Sequence, residues 1–452
     1  METLDLKVSI KECSIVYPSQ ETQNKCLFLT NIDQILNFSV ETLHFFPPHN
    51  HFPPHVIIEK IKATFSKLLV PYHFLAGRLK LSHENGRLEI DCNGAGAGFV
   101  VASSDVSLDE IGDLVYPNPA FQHLVSKSLD VFEPDDQPLV IVQVTSFKCG
   151  GFAMGFSMNH TTLDGLSFKM FLDNFAALAD NKPLAVTPCH DRRLLAARSP
   201  PRVTFPHHEL LKLHAPLPAS PDSSNISVFK DTPQDLDFKI FKLTAADIAT
   251  LKLKAQPATS SGDEGHVGKK TRVSGFNVVT AHVWRCKALS FDAENNPERS
   301  STLLYAVDIR SRLVPPLPMS YCGNAVLTVY ATAKCKELEN ELFSRVVEMV
   351  AEAAERMTDE YARSAIDWGE VYKGYPNGEF LVSSWWRLGF AEVEYPWGKP
   401  RYSCPVVCHR KEIILLFPDM KESGKNNGVN VLVALPKKEM EKFQALFKEF
   451  MA

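Results

Sequence analysis

A histidine and an aspartate four residues apart follow an apolar run in the first half of the chain. The segment reads GFSMNHTTLDGLSFKMF, so that His160 comes after Asn159, and Asp164 comes before Gly165. A neutral imidazole has a pKa near ~6.5 and takes up a proton readily at the pH of the cytosol. The pattern therefore offers a general base at His160 and, at Asp164, a carboxylate able to cap the following helix.

Both residues also have ordinary structural explanations. A histidine after a strand is commonly a loop or core residue, and an aspartate before an amphipathic run is commonly an N-cap and nothing more. Short motifs of this kind occur in many unrelated proteins. On spacing alone, the catalytic and the purely structural interpretations of His160 and Asp164 both stay open.

The elements that must position this pair alternate between strands and helices. The segment QPLVIVQVTSFKCGGFAMGFSMNH predicts two strands broken at Gly150-Gly151, and GLSFKMFLDNFAALAD predicts the helix after them. GRLKLSHENGRLEIDC predicts two strands around a turn at Asn85-Gly86. Further on, ELENELFSRVVEMVAEAAERMTDEYARSAIDW predicts one long amphipathic helix. This alternation indicates an α/β protein.

Length and composition predict two domains of similar size. The chain has 452 residues, of which 45% are hydrophobic and 22% charged, and domains average about 100–200 residues. A segment rich in proline, serine and basic residues lies near the middle and shows little periodicity. We expect an N-terminal domain over 1–188, a crossover loop over 189–225 and a C-terminal domain over 226–452.

Charge and cysteine usage exclude several classes of protein. A net charge of -5 gives no reason to expect a nucleic-acid partner. The ten cysteines are scattered without a CxxC pair, which favours reduced thiols in the cytosol. Neither a signal peptide nor an apolar run long enough to span a membrane is found, so a cytoplasmic protein without a membrane span is expected.

Two further motifs fail as cofactor or metal sites. NGAGAGF lacks the third glycine of a dinucleotide fingerprint because position 99 is Phe99. The histidines of FPPHNHFPPH, and Cys404, Cys408 and His409 of CPVVCH, do not have a zinc spacing. We therefore expect neither a metal site nor a tightly bound cofactor.

Five motifs, taken in chain order, resemble the BAHD family of plant acyl-CoA-dependent acyltransferases. They are AGRL, HxxxDG at His160, the R-x-R strand before Y-x-G-N, SSW, and WGKP near the C-terminus. HxxxD alone is a weak pattern, but the five in this order identify the chain as a member. The resemblance implies a chloramphenicol-acetyltransferase-like monomer of two mixed β-sheet domains with flanking helices, in which part of 360–405 completes the N-terminal sheet.

The resemblance also implies a reaction. An acyl group moves from acyl-CoA, a co-substrate, to a hydroxyl, less readily an amine, of a plant metabolite, with His160 as the general base. The family's aspartate is structural and pairs with an arginine of the other domain, so Asp164 is expected on Arg310, with Arg312 as second choice. The indole N–H of Trp397, or a backbone N–H near it, is the expected donor to the oxyanion.

The chain departs from the family's second signature, D-F-G-W-G. Its residues there are Glu394, Tyr395, Pro396, Trp397 and Gly398, of which only the last two match. Pro396 removes a backbone donor, and Cys322 replaces an aromatic residue of Y-F-G-N. Three interpretations follow: acyl transfer, hydrolysis of the thioester, or a non-catalytic member acting as an interaction or regulatory protein.

The remaining expected site residues come from positions that the family uses for substrates. An aromatic donor such as a hydroxycinnamoyl-CoA, and an oxygen nucleophile, are favoured by the aromatic residues around these positions. The ordinary explanations, a solvated charged loop and buried strand packing, stay open for them. The coenzyme A residues are Lys269, Lys270, Arg272, Ser274 and Ser383, the channel residues are Phe45, Trp385 and Tyr395, and the structural glycines are Gly165 and Gly398.

Overall fold

Two six-stranded mixed sheets with flanking helices form the body of this computed structural model. The structure describes residues 5–115, 118–212, 235–256, 273–291, 296–406, 410–419 and 428–451. Its strands are β1 Val8–Val16, β2 Cys26–Phe28, β3 Ser39–Phe46, β4 Arg78–Leu81, β5 Leu88–Asp91, β6 Ala97–Ser104, β7 Val140–Phe147, β8 Phe152–Asn159, β9 Leu210–Lys212, β10 Leu236–Leu243, β11 Ser300–Asp308, β12 Val326–Lys334, β13 Gly374–Pro376, β14 Phe380–Ser384, β15 Tyr402–Pro405, β16 Ile413–Pro418 and β17 Val429–Pro436. Its helices are α1 Asn31–Gln34, α2 Pro54–Leu68, α3 Gly165–Ala179, α4 Ala245–Lys254, α5 Gly275–Ser290, α6 Cys335–Asn340, α7 Phe343–Glu355, α8 Asp359–Val371 and α9 Lys437–Glu449.

The first sheet has the order β1-β6-β7-β8-β3-β15, in which only β6 and β7 pair in parallel. Strand β8 lies inside the sheet, between β7 and β3, and its residues are buried on both faces because an apolar core covers each face of the sheet. Strand β15 comes from the C-terminal half of the chain. It adds to the edge of β3, with Tyr402 opposite Phe45 and Pro405 opposite Thr42.

The second sheet has the order β10-β17-β16-β14-β11-β12. Strand β14 pairs in parallel with β11 and with β16, and the other pairs are antiparallel. Helices α5, α7 and α9 pack together against this sheet in one large apolar core. The expected α/β fold class, with two mixed sheets and flanking helices, is confirmed.

Helices α2 and α3 pack against each other and cover the first sheet. The apolar face expected for α2 is buried at Ile57, Ile61, Phe65 and Leu68, and α3 buries three phenylalanines against it. Because α3 follows directly after β8, this packing sets where the residues between the two elements lie.

The prediction of one long amphipathic helix after β12 is wrong, because that segment forms three helices, α6, α7 and α8. Helix α6 ends at Asn340, and Leu342 has extended backbone angles before α7 begins. Thr358 starts α8 because its side chain accepts a hydrogen bond from the backbone N–H of Tyr361. No helix within the described ranges is long and apolar enough to cross a bilayer.

The described part of the crossover, residues 189–212, is fastened to helix α8. The backbone N–H and Nε of Arg198 donate to Asp367 at 2.8 and 2.6 Å. Buried His207 lies 2.9 Å from Glu209 and 2.8 Å from the hydroxyl of Ser364. These contacts hold the start of the crossover against the second half of the molecule.

Candidate active site

His160 lies in the tight turn that leads from β8 to α3. Its backbone N–H donates to the carbonyl of Phe38 at 2.8 Å. The Asn159 side chain accepts from the backbone N–H and the hydroxyl of Thr161 at 3.0 and 2.8 Å, and Thr162 donates to the carbonyl of Asn159 at 2.6 Å. Short polar side chains of this kind stabilise turns through their own backbone, so the turn presents His160 in one place.

The His160 ring is engaged at one nitrogen only. Its Nδ1 lies 3.2 Å from Oδ1 of Asn324, which is fully buried. The ring of Phe38 meets the imidazole edge-on at 5.4 Å between centroids. Among the described residues, Nε2 of His160 has no hydrogen-bond partner. A half-exposed imidazole with one supported and one free nitrogen has the geometry of a general base.

Asp164, four residues on, has hydrogen-bond donors at both carboxylate oxygens. Its Oδ1 caps α3 by accepting from the backbone N–H of Ser167 at 2.9 Å. Nη2 of Arg310 donates to both carboxylate oxygens, at 3.0 and 2.9 Å, and the backbone N–H of Ala325 donates to Oδ2 at 2.9 Å. With 2% of its surface exposed, Asp164 connects the first half to the second and is not available as a base.

The arginine on Asp164 is Arg310, the first of the two candidates from the sequence. Burial would lower the pKa of Arg310, but the carboxylates of Asp164 and Asp308 raise it above its ordinary value. Arg312 points elsewhere and donates to the carbonyl of Ala354 at 2.7 Å. The guanidinium of Arg310 therefore stays charged at the junction of the two halves.

Three site residues were not identified from the sequence: Asn324, Asp33 and Arg192. Asn324 donates through Nδ2 to Asp33 at 2.7 Å and to the carbonyl of His160 at 2.8 Å. Asp33 lies in α1, where the pattern T-x-x-D signals a capping box. Asn324 belongs to the Y-x-G-N motif, so its position was visible in the sequence although its role was not.

Arg192 comes from the crossover and is completely buried between the two halves. Its Nη1 lies 3.5 Å from Oδ1 of Asp33, and its Nη2 donates to the carbonyl of Thr162 at 2.5 Å. A Cβ atom at Gly323 would overlap the Arg192 guanidinium, which explains why glycine precedes Asn324. No local pattern in the sequence singles out Arg192, because its partners are all distant in the chain.

Trp397 lies at the far end of the strands from His160. Its ring packs 6.2 Å from those of Phe46 and Phe152. Phe152 begins β8 and Asn159 ends it, a separation of roughly 23 Å at about 3.3 Å per residue. The indole, 1% exposed, cannot reach an oxyanion formed at His160, and the expected role as oxyanion donor is wrong.

Phe45 and Tyr395 do not line a channel, contrary to expectation. Successive residues of a strand face opposite sides, and Phe45 points into a closed core where it packs 5.1 Å from Phe121. Tyr395 stacks on Trp397 at 5.3 Å and is buried. Burial raises the pKa of Tyr395 above its ordinary value, as expected for a hydroxyl inside the core.

The two glycines expected near the site both have structural reasons. Gly398 has φ of 97°, and its N–H donates to the carbonyl of Tyr395 at 2.9 Å in a tight turn. Only glycine adopts such a backbone without strain. Gly165 begins α3, and a Cβ atom there would lie 2.7 Å from Leu388. Glycine at this position lets the loop after β14 approach the start of α3.

A small, partly open pocket lies where the two sheets meet. Trp385, half-buried, belongs to its wall, and Phe390 of the same wall packs 5.2 Å from Phe168 of α3. Ser383 lies two residues before Trp385 on β14 and is half-buried. The lining residues are Trp385, Trp386, Gly389, Phe390, Ala391, Glu392, Ser403, Pro405, Phe417 and Pro418.

The residues expected to bind coenzyme A divide into two groups. Lys269, Lys270 and Arg272 lie outside the described residues. Ser274 caps α5, and its hydroxyl accepts from the backbone N–H of Asn277 at 3.0 Å. Arg387, which sequence reasoning did not identify, lies beside this helix start, because a Cβ atom at Gly275 would be 3.7 Å from its Nη2.

Comparison with known proteins extends these observations to the whole chain. The model of the Transferase family matches residues 6–450. The chain is 60% identical over 450 residues to the acyltransferase GLAUCE of Arabidopsis thaliana. The matched region covers 98% of this chain and 96% of GLAUCE. It is 34% identical over 447 residues to omega-hydroxypalmitate O-feruloyl transferase of the same plant, covering 98% and 93%.

A solved structure shares the fold. TRI101 of F. sporotrichioides, solved with coenzyme A and T-2, superposes with a TM-score of 0.75 at 16% identity, over 93% of this chain and 97% of that chain. The family resemblance of the five motifs is confirmed. The chain therefore belongs to the Transferase family, the BAHD family, and is one of its acyl-CoA-dependent acyltransferases.

Proposed function

We propose that this enzyme transfers an acyl group from an acyl-CoA to a hydroxyl group of a small plant metabolite, with His160 as the general base. The observation that carries the proposal is the His160 ring itself. Nδ1 is held by Asn324 at 3.2 Å, and Nε2 has no partner among the residues that the structure describes. The nearby carboxylate of Asp164 is saturated and leaves the imidazole as the base of this turn.

The reaction needs one proton carrier. Nε2 of His160 takes the proton of the acceptor hydroxyl, and the oxygen attacks the thioester carbonyl. The tetrahedral intermediate then expels the coenzyme A thiolate, which receives the proton back from the imidazolium. A thioester is already activated, so positioning and proton transfer supply most of the acceleration. No acyl-enzyme intermediate is part of this scheme.

The named relatives favour a hydroxycinnamoyl-type donor and an oxygen acceptor. Trp385, Trp386 and Phe390 give the pocket between the sheets an aromatic wall, which suits a flat ring. The relative that shares 34% of the sequence is named for feruloyl transfer to the oxygen of an omega-hydroxypalmitate. Both observations favour an aromatic acyl group, and the name of the relative favours a hydroxyl on an apolar acceptor.

The start of α5 is the proposed binding site for the phosphates of coenzyme A. The N-terminus of a helix carries unpaired N–H groups and a positive dipole, which attract phosphate. Ser274 begins this helix and Arg387 lies beside it. Ser383 and, outside the described residues, Lys270 and Arg272 complete the proposed set. A cytoplasmic monomer with acyl-CoA as a co-substrate completes the proposed function.

A panel assay with a histidine control tests the proposal. Purified enzyme is mixed with feruloyl-, caffeoyl-, acetyl- or malonyl-CoA and with long-chain alcohols, ω-hydroxy acids or amines, and both free thiol and acylated product are measured. We expect the substitution His160→Ala to lower kcat by about 10²–10⁴-fold, whereas His83→Ala, in the exposed turn between β4 and β5, leaves it unchanged.

Three outcomes would contradict the proposal. Undiminished activity in His160→Ala, with native circular dichroism, would remove the base. Thiol release without acylated product would indicate hydrolysis. Acylation of amines in preference to alcohols would replace the hydroxyl acceptor by an amine.

A further inference from the structure

The Asn324 side chain can adopt only one amide orientation. Its Nδ2 lies 2.7 Å from Oδ1 of Asp33 and 2.8 Å from the backbone carbonyl of His160. A carboxylate and a carbonyl accept hydrogen bonds and never donate them. The NH₂ group must face these two acceptors, and Oδ1 must face Nδ1 of His160 at 3.2 Å.

Asp33 is in turn held in place from two sides. Its Oδ2 accepts from the backbone N–H and the hydroxyl of Thr30, both at 2.9 Å. Its Oδ1 accepts from Asn324 and lies 3.5 Å from Nη1 of Arg192. The side chains of Asp33 and Arg192 are both 0% exposed. Because a buried carboxylate with a charged partner keeps its place and its acceptor character, Asp33 always presents an acceptor to Asn324.

We propose that Asp33 is a positioning residue that fixes the amide of Asn324, so that His160 carries its proton on Nδ1 and presents a bare Nε2 to the acceptor. An oxygen facing Nδ1 requires a hydrogen on Nδ1. In a neutral imidazole the other nitrogen then holds the lone pair. The expected change of kcat rests on the proposed function. The position of the proton on the His160 ring is a property of the free protein.

The substitution Asp33→Asn tests this chain of contacts at its first member. The new amide keeps its oxygen towards the N–H of Thr30 and turns its NH₂ towards the NH₂ of Asn324. Two donors repel each other, whereas a turned-over Asn324 would set its oxygen against the carbonyl of His160, so both amide orientations become populated. The turned-over form points an N–H at Nδ1 of His160 and holds the imidazole proton on Nε2, and we expect kcat to fall by about tenfold with KM unchanged.

The double substitution Asp33→Asn with Asn324→Asp exchanges the two side-chain types. The amide at position 33 donates to one oxygen of the carboxylate at position 324, which also faces the carbonyl of His160, and the other oxygen accepts from Nδ1 of His160. Because a carboxylate only accepts, the original proton position returns, and we expect kcat at least threefold above that of Asp33→Asn alone. A merely structural role for Asp33 predicts no such rescue.

Asp247→Asn is a matched control for the loss of the helix cap. Asp247 has the same capping box in α4, accepting from the backbone N–H and the hydroxyl of Thr244 at 2.7 Å. It takes no part in the contacts of His160. We expect both variants to lose thermal stability, Asp33→Asn more than Asp247→Asn because it also leaves the buried Arg192 without its carboxylate, but a change of kcat only in Asp33→Asn.

The ¹⁵N chemical shifts of the imidazole report the proton position without any substrate. In protein labelled with ¹⁵N-histidine, with the His160 signals identified by their loss in His160→Gln, we expect Nδ1–H in the wild type and in the double variant, and a measurable share of Nε2–H in Asp33→Asn. If the wild-type His160 carries its proton on Nε2, or if its tautomer is unchanged in Asp33→Asn, the inference is overturned, whether or not acyl transfer is found.

Kinetics supply a second route to refutation. A kcat within threefold of wild type in Asp33→Asn, or a double variant no faster than that single variant, contradicts the proposal. If Asp33→Asn does not fold, Asn324→Ala replaces it in the same spectrum. Removal of the acceptor oxygen is expected to populate Nε2–H, and an imidazole that remains fully Nδ1–H overturns the inference.

Discussion

At the scale of single residues, His160 and Asp164 divide their tasks through their partners. Both oxygens of the Asp164 carboxylate face donors, and two of those donors, Arg310 and Ala325, belong to the other half of the molecule. Within the described part of the chain, the His160 ring has one hydrogen-bond partner, Asn324 at Nδ1. The four-residue spacing therefore serves geometry: Asp164 fixes the first turn of α3, and the turn holds His160.

Trp397 provides a prediction at the same scale, because it is conspicuous in the sequence and distant from His160 in space. It packs against Phe46, Phe52 and Phe152. We expect Trp397→Phe to leave kcat within about threefold, whereas removal of an oxyanion donor lowers kcat by about 10²–10³-fold. The free energy of unfolding should fall by about 1–3 kcal/mol, measured by urea denaturation.

Trp284→Phe is the control for that variant. Trp284 is equally buried, and its indole N–H donates to Ser301 at 3.1 Å, whereas the indole N–H of Trp397 is buried and has no partner among the described residues. Removing Trp284 leaves a buried hydroxyl unpaired and is expected to cost more stability. A more than tenfold fall of kcat in Trp397→Phe would mean that Trp397 does take part in the reaction.

At the scale of elements, the packing of α5 on α9 buries a titratable ring. His282 of α5 lies 4.4 Å from the ring of Phe447, and neither ring nitrogen has a hydrogen-bond partner among the described residues. The pKa of His282 is lowered to about 4, chiefly by burial and also by the charges of Arg285 and Lys254. The folded chain therefore keeps this imidazole neutral in mildly acidic solution.

The depressed pKa of His282 predicts how stability changes with pH. In the unfolded chain this histidine is protonated as the pH falls through about 6.5. In the folded chain it is protonated only as the pH falls through about 4. The unfolded state thus binds one more proton between these values, and the free energy of unfolding decreases as the pH falls. We expect His282→Leu to reduce that slope by about 1.4 kcal/mol per pH unit, measured by urea denaturation from pH 6.5 to 4.5.

Phe447→Leu disturbs the same contact from α9 without removing a titratable group. It should lower the free energy of unfolding by a similar amount at every pH and leave the slope unchanged. Equal slopes for wild type and His282→Leu would mean that His282 titrates alike in the folded and unfolded chain.

At the scale of the whole molecule, each half of the chain contributes residues that pack into the other half. Strand β15 adds to β3, with hydrogen bonds from Arg401 to Phe45 at 2.7 Å and from Val406 to Glu41 at 2.9 Å on either side of the ladder. Arg192 from the crossover lies buried between α1 and Gly323. The active-site turn is therefore correctly supported only when both halves are present.

This exchange predicts the behaviour of separate halves. In residues 1–212 expressed alone, β3 becomes an unpaired edge strand. Its residues from Thr42 to Phe46 are buried in the whole protein, and exposed edges of this kind aggregate. We expect this fragment to be insoluble alone and to form a soluble 1:1 complex when expressed with residues 235–452, as measured by size-exclusion chromatography. A monomeric, soluble 1–212 with native circular dichroism would contradict this exchange.

Much of the architecture followed from local patterns. Alternating apolar residues and turn signals predicted β4, β5, β7, β8 and α3, because strand and helix periodicities are properties of neighbouring residues. The single helix expected after β12 failed where Thr358 and the chain around Leu342 interrupt a continuous apolar stripe. Periodicity reports which face is buried and does not report where a cap ends one helix and begins the next.

The sequence by itself determined the family, the α/β class and the pair His160 and Asp164, since these depend on motifs and order along the chain. Only the tertiary structure decided that Asn324, Asp33 and Arg192 support His160 and that Trp397 does not. Asn324 lies 164 positions from His160, and its contact exists because the two halves of the chain pack together. Such contacts depend on packing in three dimensions, which no local pattern of residues encodes.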